Sequence, residues 1–586
     1  MKKYKAELTL VFILVLATFL RMWKLGTTPT GFYVDEAAIG YNAFSLLKTG
    51  RDEFGMPLPI LLRSFTVFGA PVYTYFLVPI YAVMGMSVFS TRLLAAVSGV
   101  LGVFGIYLLV KKIENKSIAL LMALLLSVSP WHLTYSRTVY EVNLGLTFLL
   151  ISLWCFYLAR KRKKEWLIGA GVFAAVSILA YTANRVTVPL IYMTIFYWQR
   201  KWLLKPDNRG VIIKAGVLTL VLLLPMISIM KTPGFFSRLD ALSILATSRN
   251  PWGYNPEFQD LSDTVLNHRG LLLLREWMSL YSVFFSPRYL FFLGDPGGRS
   301  SFVDIAPLFI WQFPFWLMGI YDYIRNKRLK TELGRLMLAV LVISPLPASV
   351  TGDPFASIRA LPMVIPHLYF IALGLKLVFS KRKRAGMVVV SGLLLVSLLR
   401  VYLSFFVIND YFRYKHWNYG ARELVEKIAE HPQLPVVLDN SRDELYIEVL
   451  FFSKYDPKEY QQNNFEVSLD EYYTNMSRNT NKTIGNISTR GIVWAEDIYV
   501  DQLLAGDYLA ISEDQIKEHC LEKKFEIRGP DGALLYIAVR TNPEKKRLMD
   551  EIVKKIRNND KEQVIPMDCN LLITENKNGR VNDSFK

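Results

Sequence analysis

Gly31-Phe32-Tyr33-Val34-Asp35-Glu36-Ala37-Ala38-Ile39-Gly40-Tyr41-Asn42-Ala43 follows the first apolar segment, Leu8 to Trp23, and opens an amphipathic run, Ala37 to Lys48, that stops at Gly50. The adjacent Asp-Glu pair at its head has two readings. In one, Asp35 or Glu36 caps the N-terminus of a short helix, where negative charge is favoured, and Gly50 is the C′ residue. In the other, a carboxylate held at a membrane surface, at the mouth of a largely apolar protein, is a general base or a metal ligand. The rest of the chain decides which reading carries further.

Of the 586 residues, 52% are hydrophobic, and the mean hydropathy is +0.25. That is too apolar for a soluble protein of this length. Apolar runs long enough to cross a bilayer recur to about residue 408 and then stop, which predicts a polytopic α-helical membrane protein with a polar C-terminal part. The net charge of +18 does not point to nucleic acid, because many of the basic residues fall in short clusters between apolar runs. Such clusters are the positive-inside signature. Cys155 lies in an apolar run, while Cys520 and Cys569 lie beyond residue 409. Two cysteines alone do not establish a bridge. Lys2, Lys3 and Lys5 precede the first apolar run without a small-residue cleavage site after it, so this run is expected to remain as an uncleaved first helix.

Those lysines put the N-terminus in the cytoplasm and Asp35-Glu36 outside. Segment 71–86 is short and interrupted by Pro71 and Pro79. Treated as an interfacial or re-entrant helix of a long external loop, 25–89, it leaves Lys111, Lys112, Lys116 and the run Arg160–Lys164 all inside. The remaining spans then alternate: 90–110, 117–131, 143–159, 166–181, 186–198, 211–229, 304–324, 333–349, 360–379 and 386–408. With the first helix the total is about eleven. The expected division is a membrane domain, 1–408, and an external α/β domain, 409–586. In the latter, Val436–Asp439, Gly491–Trp494 and Ala533–Val539 read as strands, and Tyr419–His431 and Glu513–Cys520 as helices. The stretch 543–586 is charged, with a weak helical period around Lys546–Ile556, and reads as loosely ordered.

On this topology Asp35, Glu36, Arg137, Glu141, Tyr181, Arg185, His268, Arg269, Asp353 and Arg359 share the external face. Carboxylates and arginines on one membrane surface suit a reaction at a phosphate-bearing lipid. Arginine pairs with phosphate oxygens, and a carboxylate deprotonates an acceptor. Each also has a plainer reading. The arginines are interfacial anchors, Glu141 is a favourable charge at a helix N-terminus, His268 is a loop histidine, and the aromatics are belt residues. Neither a nucleotide-binding glycine pattern nor a Cys/His metal spacing occurs.

The run Gly31–Tyr41 after the first helix resembles the acidic first-loop motif of the superfamily C glycosyltransferases (GT-C fold, similar to glycosyltransferase family 39), in particular the bacterial protein O-mannosyltransferase and lipid A aminoarabinose transferase group. Ser90-Thr91-Arg92-Leu93 resembles the family's Arg-Leu at the second helix. Ser129-Pro130-Trp131-His132-Leu133-Thr134-Tyr135-Ser136-Arg137 with Glu141 resembles its second-loop motif. Arg359 before Leu361-Pro362 is similar to the late-loop arginine that contacts lipid phosphate in related oligosaccharyltransferases. One departure stands out: where the aminoarabinose transferases carry a Glu-Lys-Pro-Pro type run, this chain has Phe68-Gly69-Ala70-Pro71.

The resemblance implies an inverting transfer of a sugar from a polyprenyl-phosphate carrier to an acceptor outside the cytoplasm, at a bacterial plasma membrane. Asp35 would be the general base, supported by Glu36 and Glu141. Arg137, Arg185 and Arg359, with Tyr181, His268 and Arg269, would bind substrate and phosphate. A divalent cation, magnesium or manganese, is the one cofactor left open, with Asp35 and Glu141 as its ligands. The competing readings are a transporter or flippase for a lipid-linked glycan, which should show mid-membrane charges and an internal repeat, and a non-catalytic assembly factor.

Overall fold

The computed structural model describes residues 2–65, 67–244, 269–464, 468–474, 481–559 and 568–577. The first part of the chain forms α1 (Lys2–Met22), α2 (Val34–Thr49), the hairpin β1 (Leu62–Ser64) and β2 (Val67–Gly69), then α3 (Val72–Met84), α4 (Val88–Ile113), α5 (Lys116–Val128), α6 (Pro130–Tyr135), α7 (Glu141–Lys161), α8 (Trp166–Ala180), α9 (Asn184–Leu203), α10 (Pro206–Ser228) and α11 (Pro233–Leu242). After these come α12 (Arg269–Val283), α13 (Gln312–Arg325), α14 (Glu332–Ile343), α15 (Val364–Lys381) and α16 (Lys383–Leu403). The chain then builds α17 (Ala421–Ala429), β3 (Val436–Leu438), α18 (Leu445–Ser453), α19 (Pro457–Asn463), β4 (Lys482–Ile484), β5 (Ile487–Thr489), β6 (Leu503–Asp507), β7 (Glu522–Arg528), β8 (Leu534–Arg540), α20 (Pro543–Asn559) and α21 (Cys569–Lys577).

Two compact units result. The first holds residues 1–30, 56–416 and 468–477, and the second holds 31–55, 417–467 and 478–586. The division differs from the expected one at 408/409 in two ways. The junction lies at Trp417, and the first-loop helix α2 is built into the second unit.

The first unit is a helical bundle. Six of its helical stretches are long and apolar enough to cross a membrane among the described residues: Val88–Ile113, Glu141–Lys161, Pro206–Ser228, Glu332–Ser349, Leu361–Lys381 and Arg384–Phe412. Val72–Met84, Lys116–Val128 and Trp166–Ala180 are shorter apolar helices. At 13 residues, α3 reaches about 20 Å, against a hydrocarbon core of about 30 Å. Helix α7 packs on α4 and α8, and α13 packs on α15. That last pair approaches closely because each helix presents a glycine to the other's backbone: a Cβ on Gly319 would lie 1.7 Å from the Phe370 carbonyl oxygen, and one on Gly374 would lie 2.0 Å from that of Phe315. Apolar side chains such as Val217, Leu220, Val388 and Leu395 stay exposed on the outer faces of α10 and α16, as a lipid-facing surface requires.

Two expected spans are altered by proline. The run 304–324 becomes helical only from Gln312. Asp304 takes a positive φ of 56°, and Pro307 disfavours helix at the residue before it. The run 333–349 breaks between Ile343 and Leu346, at Pro345.

The second unit is an α/β domain around a six-stranded mixed sheet of order β4-β5-β3-β6-β8-β7. The central strand β3 is parallel to both neighbours, with Val437 opposite Ser488 and Leu504. Helix α17 buries Leu424, Val425 and Ile428. Helices α18 and α19 pack on α2, where Phe32 meets Phe451 at 4.6 Å between ring centres, the Tyr41 hydroxyl donates to the Tyr455 carbonyl, and the Gln461 amide donates to Ser45 and to the Asp52 carbonyl.

Gly491–Trp494, expected as a strand, is not one. Ile487–Thr489 takes the place beside β3, and the Asp497 carboxylate accepts from the Val493 N–H at 2.7 Å and from Arg490, turning the chain into a short helix, Trp494–Asp497. Beyond Pro543 the described residues form two helices, α20 and α21. Met549, Ile552 and Ile556 of α20 pack with Leu572 and Ile573 of α21. Cys520 and Cys569 form a disulfide, whereas Cys155 is free and buried.

Candidate active site

In the first unit the candidate site forms at the N-terminus of α7. Tyr140 is extended and Glu141 is the first helical residue, so its carboxylate sits where the helix macrodipole favours a negative charge. Glu141 is only 6% exposed. Among the described residues no side chain bonds or ion-pairs with it. The backbone of Gly69 lies against it: a Cβ there would stand 3.7 Å from Glu141 Oε1 and 3.3 Å from Arg238 Nη2. Arg238, on α11, donates through Nε to the Phe68 carbonyl at 3.1 Å. Both of its Nη groups are left for a ligand among the described residues. Gly145, one turn after Glu141 on α7, lies under Tyr181: its added Cβ would be 3.1 Å from Tyr181 Cβ. Arg359, Arg238 and Glu141 all act electrostatically on the Tyr181 phenol. A carboxylate, a phenol and two guanidinium groups are thus gathered around one helix end.

Arg359 reaches this neighbourhood on a tightly held loop. Its Nη1 donates to Asp353 Oδ2 at 2.7 Å and to Thr351 Oγ1 at 2.9 Å. Ser357, two residues earlier, is gripped from three sides. Trp131 Nε1 donates to its carbonyl, the Tyr135 hydroxyl bonds its Oγ at 2.7 Å, and its own N–H donates to Asp295 Oδ2 at 2.8 Å. Burial pushes the Asp295 carboxyl up, against the pull of the Ser357 and Gly297 N–H groups.

The motif Ser129–Arg137 is therefore mostly scaffold. Arg137, expected to bind phosphate, makes scaffold contacts in the structure. The side chain is wholly buried and donates to the carbonyls of Leu20, Trp23 and Thr28 at 2.9, 2.8 and 3.0 Å, with its guanidinium about 5 Å from the rings of Phe405 and Phe406. It fastens the turn after α1. Arg92, equally buried, does the same by donating to the Pro29 carbonyl at 2.9 Å. His132 Nδ1 lies 2.8 Å from Arg21 Nη2, a further buried pair within the bundle.

Arg185 is partly engaged in structure: its guanidinium lies 4.7 Å from the Phe235 ring and donates through Nη1 to the Phe235 carbonyl at 3.4 Å, which ties α9 to the start of α11, while its Nε is buried without a hydrogen-bond partner among the described residues. His268 lies outside the described residues, and Arg269 is the first residue of α12. Glu36, in the second unit, is 3% exposed and accepts from the Tyr33 N–H at 3.4 Å, the capping role. Gly50 ends α2 in the left-handed region. Asp35 is half-buried in the first turn of the same helix. Among the described residues no three His, Cys, Asp or Glu side chains come together as a cation site.

Arg238 was missed. Its helix falls in the stretch between the expected spans 211–229 and 304–324, and the available signal was Pro233-Gly234, a helix-starting proline beside a residue without a side chain.

Residues 69–229, from β2 to the end of α10, match the dolichyl-phosphate-mannose-protein mannosyltransferase family. No curated protein sequence matches the chain. Among solved structures, the chain is similar to ArnT from Cupriavidus metallidurans bound to undecaprenyl phosphate, with 12% identity and a TM-score of 0.51 over 90% of this chain and 97% of that one. It also matches the oligosaccharyltransferase of Archaeoglobus fulgidus at 15% identity and a TM-score of 0.46, over 77% of this chain and 64% of that one. The chain thus spans less than two thirds of the archaeal protein's length. The sequence match through the core of the bundle and the architecture shared with ArnT show the GT-C fold of the membrane glycosyltransferases, with residues 69–229 similar to the protein mannosyltransferases.

Proposed function

We propose that the protein transfers a sugar, with inversion, from a polyprenyl-phosphate carrier to an acceptor outside the cytoplasm. The observation that carries the reading is the Glu141 carboxylate: buried, without a side-chain hydrogen bond or close ion pair among the described residues, and within electrostatic reach of Arg238, whose Nη groups make no hydrogen bond among the described residues. In the reaction the bond between the anomeric carbon and the phosphate oxygen breaks as the acceptor oxygen attacks from the opposite face. Arg238 and Arg359 hold the departing phosphate. Glu141 offsets the oxocarbenium charge that builds on the sugar. Asp35 takes the acceptor proton.

A lipid donor is supported by a cavity of about 650 Å³ between α8, α9 and α10, lined by apolar residues such as Leu167, Ala174, Val188, Met193 and Ile212. The structural neighbour ArnT is bound to undecaprenyl phosphate. The disulfide supports an oxidising, extracytoplasmic setting for the second unit. The same reading keeps the cytoplasmic N-terminus and the count of about eleven crossings. The described residues supply no three-donor cation set, so no step is routed through a metal.

The test is transfer by the purified protein from a panel of undecaprenyl-phosphate sugars. Asp35→Asn and Glu141→Gln should each lower kcat by about 10²- to 10⁴-fold without a loss of thermal stability. Wild-type turnover in Asp35→Asn would refute the assignment of the base.

A further inference from the structure

Ser468–Thr474 comes from the C-terminal third of the sequence, yet it packs within the first unit. There it grips two elements of the candidate site. The Arg63 N–H donates to the Tyr472 hydroxyl at 2.9 Å and the Ile60 N–H to the Tyr473 hydroxyl at 2.7 Å. The Phe68 ring packs against both tyrosine rings, at 5.5 and 5.7 Å between centres. On the other side the Gly234 N–H donates to the Tyr473 carbonyl at 2.9 Å. The fit at Gly234 leaves no room: a Cβ would lie 2.8 Å from that oxygen and 3.0 Å from Phe68 Cε2.

Gly234 and Arg238 are one turn apart on α11 and so share a face. Phe68 closes the circuit, since its N–H donates to Ser237 Oγ at 3.0 Å and its carbonyl accepts from Arg238 Nε. The same two tyrosines therefore fix both the hairpin that carries Gly69 and the helix that carries Arg238.

We propose that Tyr472 and Tyr473 are positioning residues for the donor phosphate, holding Arg238 over Gly69 beside Glu141. The proposal rests on the donor reading given above. Neither tyrosine touches the reacting atoms in this scheme. Each acts through Phe68 and α11.

The experiment compares wild type, Tyr472→Phe/Tyr473→Phe, Arg238→Ala and the triple variant. Phenylalanine keeps the ring packing and removes only the two hydroxyl acceptors. Gly234→Ala is a second, independent perturbation that wedges α11 from the strap. The first readout is the Kd for undecaprenyl phosphate. The second needs no ligand: the rate at which phenylglyoxal modifies Arg238, followed by peptide mass spectrometry.

The tyrosine pair should weaken binding by up to about thirtyfold, from two hydrogen bonds of about 1 kcal/mol each. The triple variant should bind no worse than Arg238→Ala within about twofold, because the effects share one route. Arg238 modification should speed up several-fold in both the tyrosine and glycine variants. Unchanged Arg238 reactivity, with faster amide exchange at Ile60 and Arg63, would overturn the proposal, as would effects that multiply. If the wild type does not bind undecaprenyl phosphate, the donor reading fails, and Arg238 reactivity alone decides the role of the strap.

Discussion

Replacing Arg137 by alanine separates a phosphate ligand from a structural clamp. The guanidinium is fully buried and serves three backbone carbonyls, those of Leu20, Trp23 and Thr28, at 2.8 to 3.0 Å. Each carbonyl left unpaired in the interior costs about 1–3 kcal/mol. The gross loss is therefore about 3–9 kcal/mol, reduced because the buried cation's own desolvation cost disappears with it. A net destabilisation of about 3–5 kcal/mol results. At about 2 °C per kcal/mol for a unit this large, Tm in detergent should fall by roughly 6–10 °C. Saturating undecaprenyl phosphate should give wild type and variant similar upward shifts, because the ligand does not touch this residue. Arg238→Ala should behave oppositely, with little change in Tm and a loss of the ligand-induced shift. The reasoning is refuted if Arg137→Ala melts like the wild type and has lost lipid binding.

Glu448 in α18 is wholly buried, and burial together with the nearby Asp443 pushes its carboxyl well above the usual range, against a smaller pull from Asn418. A folded-state value above the unfolded one means that its stabilising effect is complete below about pH 4.3 and is lost as pH rises towards the folded value, at about 1.4 kcal/mol per unit. Thermal melts across pH 4–8 should show Glu448→Gln gaining on the wild type as pH rises, and parallel curves would refute this. The disulfide closes a separation of 49 residues, worth about 4 kcal/mol by chain entropy. Cys520→Ser should therefore open α20 and α21 to limited proteolysis, while the helices of the first unit keep their amide protection by hydrogen exchange.

Much of the architecture was legible because it follows from short-range physics. Apolar runs separated by basic clusters located α4, α7, α10 and α15, since the cost of exposing a backbone to lipid leaves little alternative to helices. The Asp-Glu pair and Gly50 marked the ends of α2 through capping geometry, which is local. Glu141 at the start of α7 was legible for the same reason. Less visible were β4 to β7, short strands whose pairing reaches from Val436 to Leu503, and the strap at Tyr472-Tyr473.

The arginines show the boundary most clearly. Arg137, Arg185, Arg238 and Arg359 are equivalent as residue types, and the sequence by itself determined only that cations gather near helix ends. Tertiary structure decided their roles. Arg137 is surrounded by orphan carbonyls and is consumed by them. Arg238, absent from every motif, has two nitrogens without a hydrogen bond among the described residues and lies beside a carboxylate. A guanidinium's function depends on which acceptors surround it in space, and those acceptors come from segments far apart in the chain, so no window of sequence around the arginine contains the answer.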